Sequence, residues 1–232
     1  MIDSSQTSKE NHIPLELRSA VVGPWSLNAY VLVCPQSRES VLVDPGAEPQ
    51  ILRNMLDGTR PAAILVTHSH PDHIGALADM RRALKVPVMA HPGAVADSSP
   101  VGADVWLQDG ERVAVGVHQL RIYYTPGHRD DQICFGIEKD NRIIVGDTIF
   151  EGGPGKTWSA GDFQTTLNTI RRTVLPWPDE TVCHPGHGPF FRLGDKKRLI
   201  EIFVQKDHGS FFGDATWEMN VRDFFDTAGN MS

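Results

Sequence analysis

Apolar and polar residues alternate along much of this chain, in short runs cut apart by turn signals. The first runs predict strands over 15–22, 28–33 and 40–43, separated by Gly23-Pro24 and by the turn around Pro35. Asp44-Pro45-Gly46 ends the third strand abruptly. Ile51, Leu52, Met55 and Leu56 then share one face of a helix predicted over 47–56. The unbroken apolar run 62–66 reads as a buried strand. A helix over 74–84 follows, turning Ile74, Leu77, Ala78 and Leu84 inward, and then a strand over 86–89 before the His91-Pro92-Gly93 loop. The second half repeats this grammar, with strands over 112–117, 120–124, 132–137 and 142–145. A helix over 162–174 is capped by Asp162 and buries Phe163, Leu167 and Ile170. A last strand over 181–183 and a helix over 195–204 complete the pattern. Strand runs interrupted and covered by helices predict a layered α/β architecture.

Composition narrows this picture. The 232 residues suit one sizeable core. A net charge of −7 with no basic block gives no electrostatic footprint for nucleic acid. No run approaches the ~18 apolar residues of a membrane span. The polar residues 1–12 lack the apolar stretch of a secretory signal and read as a disordered leader. The domain is expected over 13–206. The tail 207–232 carries Phe211, Phe212, Trp217, Phe224 and Phe225, too aromatic for plain disorder, and is expected to pack on the domain or form a subunit contact. A homo-oligomer is therefore left open. Cys34, Cys134 and Cys183 lie far apart and form no disulfide framework, so reduced thiols and a cytoplasmic location are expected.

The chemistry concentrates at the ends of predicted strands. His68-Ser69-His70-Pro71-Asp72-His73 packs three imidazoles and a carboxylate into six residues directly after the strand 62–66. These are ligand types that zinc, iron or manganese accept, and open α/β sheets place sites at such strand ends. Packing does not account for so many polar side chains in one loop, because each buried one needs a partner. Single candidates recur in the same context: His128 in Thr125-Pro126-Gly127-His128, Asp147 in Gly146-Asp147-Thr148 and His187 in Pro185-Gly186-His187-Gly188. Adjacent glycines let the backbone turn tightly there. The isolated His12, His91, His118 and His208 support no such reading. His184, three residues before His187, is a candidate to support it from behind. Gly153-Pro154-Gly155-Lys156-Thr157 looks like the end of a phosphate-binding loop, but Phe150 stands where that pattern requires glycine.

His68-x-His70-x-Asp72-His73 followed by Gly127-His128, Gly146-Asp147 and Gly186-His187 resembles the metal signature of the metallo-β-lactamase superfamily. The resemblance runs from about Leu27 to Gly188, with Asp44 as its first motif. Thr125-Pro126-Gly127-His128 and Gly146-Asp147-Thr148-Ile149-Phe150 are most similar to glyoxalase II-type thioester hydrolases. The resemblance implies a four-layer αβ/βα sandwich of two mixed sheets flanked by helices. It implies two divalent ions, zinc foremost with iron or manganese as alternatives. One ion would be held by His68, His70 and His128, the other by Asp72, His73 and His187, with Asp147 bridging. It further implies hydrolysis of a small-molecule acyl substrate by a metal-bound hydroxide, Asp72 and Asp147 belonging to the catalytic machinery. Asp44 would hydrogen-bond a liganding histidine or a loop backbone. Lys156 is the candidate for the basic residue such enzymes carry near their thiol substrate, and Arg129 for contact with an anionic group. The glutathione-gripping helical domain of glyoxalase II has no counterpart in the segment after His187, so glutathione specificity is not expected to transfer. Lactones, β-lactams, phosphoesters and an iron-dependent persulfide dioxygenase reaction stay open as alternatives.

Overall fold

The computed structural model describes residues 13–94 and 99–219. The leader expected over 1–12, and Phe224 and Phe225 of the tail, lie outside the described residues. The first half of the chain forms one six-stranded sheet from β1 (Glu16–Val22), β2 (Leu27–Val33), β3 (Glu39–Val43), β4 (Arg60–Leu65), β5 (Val88–Ala90) and β6 (Val105–Trp106), in that spatial order. Pairing is antiparallel from β1 to β3 and parallel from β3 to β6. The second sheet takes β7 (Arg112–Val115), β8 (His118–Tyr124), β9 (Ile133–Ile137), β10 (Arg142–Gly146), β11 (Val182–Pro185) and β12 (Phe191–Arg192). It is antiparallel except for the β10/β11 pair. Among the described residues no helix is long and apolar enough to cross a membrane.

Strand alternation explains why the sheets stack. Tyr30, Leu32, Val41, Val43, Ala63 and Leu65 point inward and meet Leu120, Ile122, Ile133, Phe135 and Ile144 of the second sheet. Their neighbours Ala29, Val31, Leu42, Ile64 and Val66 point outward onto α1 (Pro49–Met55) and α3 (Leu77–Leu84). On the far side, Cys134, Ile143, Val145 and Cys183 meet α4 (Ala160–Thr169), a π-helical turn at Ile170–Val174 and α5 (Leu193–Gln205). The result is the four-layer αβ/βα sandwich, two mixed sheets flanked by helices. Each fully buried Val, Leu, Ile or Phe contributes ~1.5–3 kcal/mol, so the period-2 pattern fixes both register and stacking.

Several boundaries move from their predicted places, each for a local reason. The first helix starts at Pro49 rather than at residue 47, because Glu48 takes a left-handed φ of 51° and proline is preorganised for the first helical position. The helix predicted over 74–84 is split into α2 (Pro71–Ile74) and α3. Gly75 sits at the break, where a Cβ would lie 2.4 Å from the Gly46 carbonyl oxygen. The cap of α4 is Ser159, not Asp162: the Ser159 hydroxyl accepts from the Asp162 amide at 3.1 Å, and Asp162 is the acid three residues inside. The two-residue strands β6 and β12 are too short to show a periodicity. Beyond α5 the chain returns to the body. Trp217 is buried in the outer core with Phe163 and Phe203, and its indole donates to the Phe150 carbonyl at 3.1 Å.

Candidate metal centre

Strands β3, β4, β8, β10 and β11 all end at one edge of the sandwich, and the loops leaving them converge there. His68, His70, His128 and Asp147 offer ligand-type atoms that all lie within 4.8 Å of one another, and Asp72, His73 and His187 do the same beside them. Nδ1 of His70 lies 3.0 Å from His68 Nε2 and 2.9 Å from His128 Nε2. Asp72 Oδ2 lies 3.0 Å from His187 Nε2 and 3.9 Å from His73 Nε2. Two nitrogens bound tetrahedrally to one zinc ion sit roughly 3.3 Å apart, given a bond of ~2.0–2.1 Å, so these spacings match ligands gathered around a common point. Asp147 faces both groups. Its Oδ1 lies 3.4 Å from His73 Nε2, and its Oδ2 lies 3.5 Å from His128 Nε2 and 3.7 Å from His187 Nε2.

The hydrogen bonds behind the imidazoles set which nitrogen faces inward. His128 Nδ1 donates to the Lys156 carbonyl at 2.8 Å, and His187 Nδ1 donates to the Trp25 carbonyl at 2.9 Å. His73 Nδ1 donates to Asp44 Oδ2 at 2.9 Å. Asp44 also accepts the Thr67 amide and the Thr67 hydroxyl, each at 2.7 Å. That leaves the Thr67 oxygen free to accept from His68 Nδ1 at 3.1 Å. All four histidines therefore turn Nε2 toward the centre. Backing of this kind fixes tautomer and ring orientation in metal sites. Asp44 adopts a left-handed φ of 52° to reach Thr67 and His73 together.

Two buried polar atoms at the centre have no hydrogen-bond partner, His73 Nε2 and Asp147 Oδ1. Buried polar groups are rarely left so, and a cation between the two satisfies both. Close approach also demands glycine: a Cβ at Gly186 would lie 2.2 Å from Asp147 Oδ1 and 2.7 Å from His73 Cε1. The donor set, the orphaned atoms and the glycine cradle all fit a metal ion.

Burial and neighbours divide the electrostatics. Burial, reinforced by the other imidazoles, holds His68 well below the ordinary histidine range. Burial likewise lowers His70 to about 4 and lowers His128. Burial opposes charge on His73 too, but the Asp44 and Asp147 carboxylates outweigh it and raise its pKa to about 10. His187 rises against its burial through its hydrogen bond with Asp72. Asp72 falls to about 2, because that bond and the His73 charge outweigh the burial of its carboxylate.

The remaining candidates are placed differently. Lys156 lies at the rim, paired with Asp214 at 2.9 Å. Arg129 donates to Ser69 Oγ at 3.2 Å and lies 3.8 Å from Asp131, lining a separate 140 Å³ cleft with them. His184 does not back any of the seven clustered residues. Its ring stacks on Phe190 and meets Tyr30 edge-on, because β11 alternation turns it to the opposite face from Cys183. His91, in the loop after β5, is buried and stacked on Tyr124 at 4.1 Å. Nothing in the sequence marks Trp158. This half-exposed indole lies 5.2 Å from the His70 ring and 5.3 Å from the His128 ring, and it sits in a loop with no periodicity to mark it. A cavity of 610 Å³ lies on the outer face of the second sheet around Arg121, Tyr123 and Trp177, away from this cluster.

The sequence profile of the metallo-beta-lactamase superfamily matches residues 22–187. Hydroxyacylglutathione hydrolase GloC of Haemophilus influenzae is 27% identical over 188 residues, covering 72% of this chain and 88% of that one. The crystal structure of ETHE1 from Myxococcus xanthus superposes with a TM-score of 0.70 at 26% identity, covering 83% of this chain and 86% of that one. TTHA1623 in a di-iron-bound form superposes with a TM-score of 0.66 at 32% identity, covering 78% and 97%.

Proposed function

The chain belongs to the metallo-beta-lactamase superfamily, and from that premise we propose that it is a dinuclear metallohydrolase acting on a thioester or similar acyl bond. The position of Asp147 carries this reading. One carboxylate faces His73 with Oδ1 and both His128 and His187 with Oδ2. His68, His70 and His128 would hold one ion, Asp72, His73 and His187 the other, and Asp147 both. What a divalent pair supplies when bound is Lewis-acid polarisation of a carbonyl and a water made acidic near neutral pH.

The chain's own residues do the rest. Asp147 places negative charge between two points where cations would repel each other. Asp44 keeps His73 Nδ1 protonated and the ring fixed. Lys156 fixes His128 through its backbone carbonyl, while its ammonium pairs with Asp214 at the groove. Trp158 and Phe150 wall the mouth with apolar surface beside His70 and His187. The three cysteines are buried, so no thiol nucleophile is presented at the centre. The likeness to GloC, a hydroxyacylglutathione hydrolase, supports hydrolysis of a thioester. The likeness to ETHE1 favours a second reading, an iron-dependent persulfide dioxygenase, and TTHA1623 makes iron a contender with zinc for either chemistry.

Metal analysis of the purified protein combined with a substrate panel tests the proposal. We expect two metal equivalents per chain and hydrolysis of acyl thioesters that consumes no oxygen. A single iron with oxygen consumption on glutathione persulfide would replace the hydrolase with the dioxygenase.

A further inference from the structure

Beside the centre runs an open groove of 420 Å³, bordered by His128, Asp147, Phe150, Lys156, Asp214 and Ala215. One of its walls comes from the far end of the chain. Two attachments hold that wall in place. Thr157 and Gly213 exchange hydrogen bonds, the Thr157 amide donating to the Gly213 carbonyl and the Gly213 amide to the Thr157 hydroxyl, each at 3.2 Å. At the other end the Trp217 amide donates to the Gly152 carbonyl at 3.0 Å, and its indole is buried. The four-residue stretch from Gly213 to Thr216 is thus pinned at both ends against the loop that follows Asp147. Gly153 permits the contact, since a Cβ there would lie 2.1 Å from the Ala215 carbonyl oxygen.

The pinned segment brings a charge with it. Asp214 meets the Lys156 ammonium at 2.9 Å. The other acid of this loop, Glu151, is paired elsewhere, with Lys196 at 3.3 Å. Lys156 therefore enters the groove already neutralised. Apart from Thr216, the rest of the lining is apolar or small: Phe150, Gly152, Gly153, Pro154 and Ala215.

We propose that Asp214 sets the charge selectivity of this groove, so that it favours substrates whose arm beside Lys156 is uncharged. This inference deepens the hydrolase reading and rests on it for the identity of the reaction. An anionic arm, such as a carboxylate on a thiol leaving group, reaches Lys156 only by displacing Asp214. Both partners are substantially exposed, and an exposed pair is weak enough to be displaced, at a penalty of up to about fivefold in affinity.

Two thiols of similar size serve as probes, N-acetylcysteamine with a neutral arm and 3-mercaptopropionate with an anionic one. Their dissociation constants on the metal-loaded protein are measured by calorimetry, and the KM values of their acetyl thioesters by turnover. In wild type the anionic probe is expected to bind more weakly. Asp214→Asn should lower the anionic-to-neutral ratio of dissociation constants about fivefold. Adding Lys156→Met to that variant should restore the ratio. A ratio unmoved by Asp214→Asn, or moved equally with and without Lys156, overturns the proposal. The binding ratio needs no turnover, so a protein that hydrolyses neither thioester sinks the hydrolase reading while the selectivity result still stands or falls by itself.

Discussion

Burial lowers the pKa of all three imidazoles in the group of His68, His70 and His128, whereas in the group of Asp72, His73 and His187 neighbouring carboxylates raise that of both imidazoles. The groups share Asp147 and the same strand-end edge, so position does not separate them. What separates them is the carboxylate each raised ring meets, Asp44 behind His73 and Asp72 in front of His187. His68 and His128 are backed by a hydroxyl and a backbone carbonyl, neutral groups that leave desolvation in charge. His73 is backed by the Asp44 carboxylate, which stabilises a cation in the same space. In the metal-free protein the first group is ready for an ion, while at the second an ion has to displace the proton of His73. The same side chain type is thus tuned in two directions by one atom of its neighbour.

The largest effect on this comparison is expected from removing what the groups share. Asp147→Asn keeps the shape but removes the charge facing both. We expect it to lose one metal equivalent per chain and more activity than the ~10–100-fold that loss of a supporting partner costs. Metal analysis with turnover on the same sample checks this. A variant with two metals and full activity would refute the bridging role.

A smaller effect should sharpen the contrast. Asp44→Asn leaves all seven clustered residues in place but removes the charge behind His73. Affinity for the ion of the second group should fall about 10–100-fold while the first is spared. Competition against a chelator resolves the two equivalents. If both weaken together, Asp44 is holding the loop through Thr67 rather than tuning His73.

The smallest expected effect is on stability without metal. From the ordinary 6.5 down to about 4, the unfolded chain takes up protons that folded His70 refuses, so stability falls as the pH drops. The raised His73 works in the opposite window. Its contribution is complete below 6.5 and is lost as the pH rises through about 10. Melting of the chelator-treated protein should therefore peak near pH 6.5. Metal should flatten the alkaline side, because it displaces the proton on which that side depends. A melting temperature that climbs steadily to pH 9 without metal would show that Asp44 and Asp147 do not hold His73 charged.

By itself the sequence determined the layered architecture, because the short apolar runs 28–33, 40–43, 62–66 and 132–137, bounded by turn signals, read as strands buried on both faces. It also determined the candidate ligands. His68 through His73 stand out because six adjacent residues carry four ligand-type side chains. His128, Asp147 and His187 each follow a glycine at a predicted strand end, which is a local signal. What only the tertiary structure decided has no local signal. Asp44 reaches His73 across 29 positions, and its choice of partner is what raises that imidazole. His184 has the composition of a supporting residue and the spacing to His187, yet strand alternation turns it onto Phe190. Trp158 acquires its place beside His70 and His128 from the packing of an irregular loop. Asp214 meets Lys156 because Trp217, more than sixty residues from Phe150, is buried beside it. Periodicity and clustering are carried by neighbours in the chain and can be read there. The charge behind an imidazole and the wall of a groove come from residues that meet only when the sheets stack, and their distances in sequence carry no trace of that meeting.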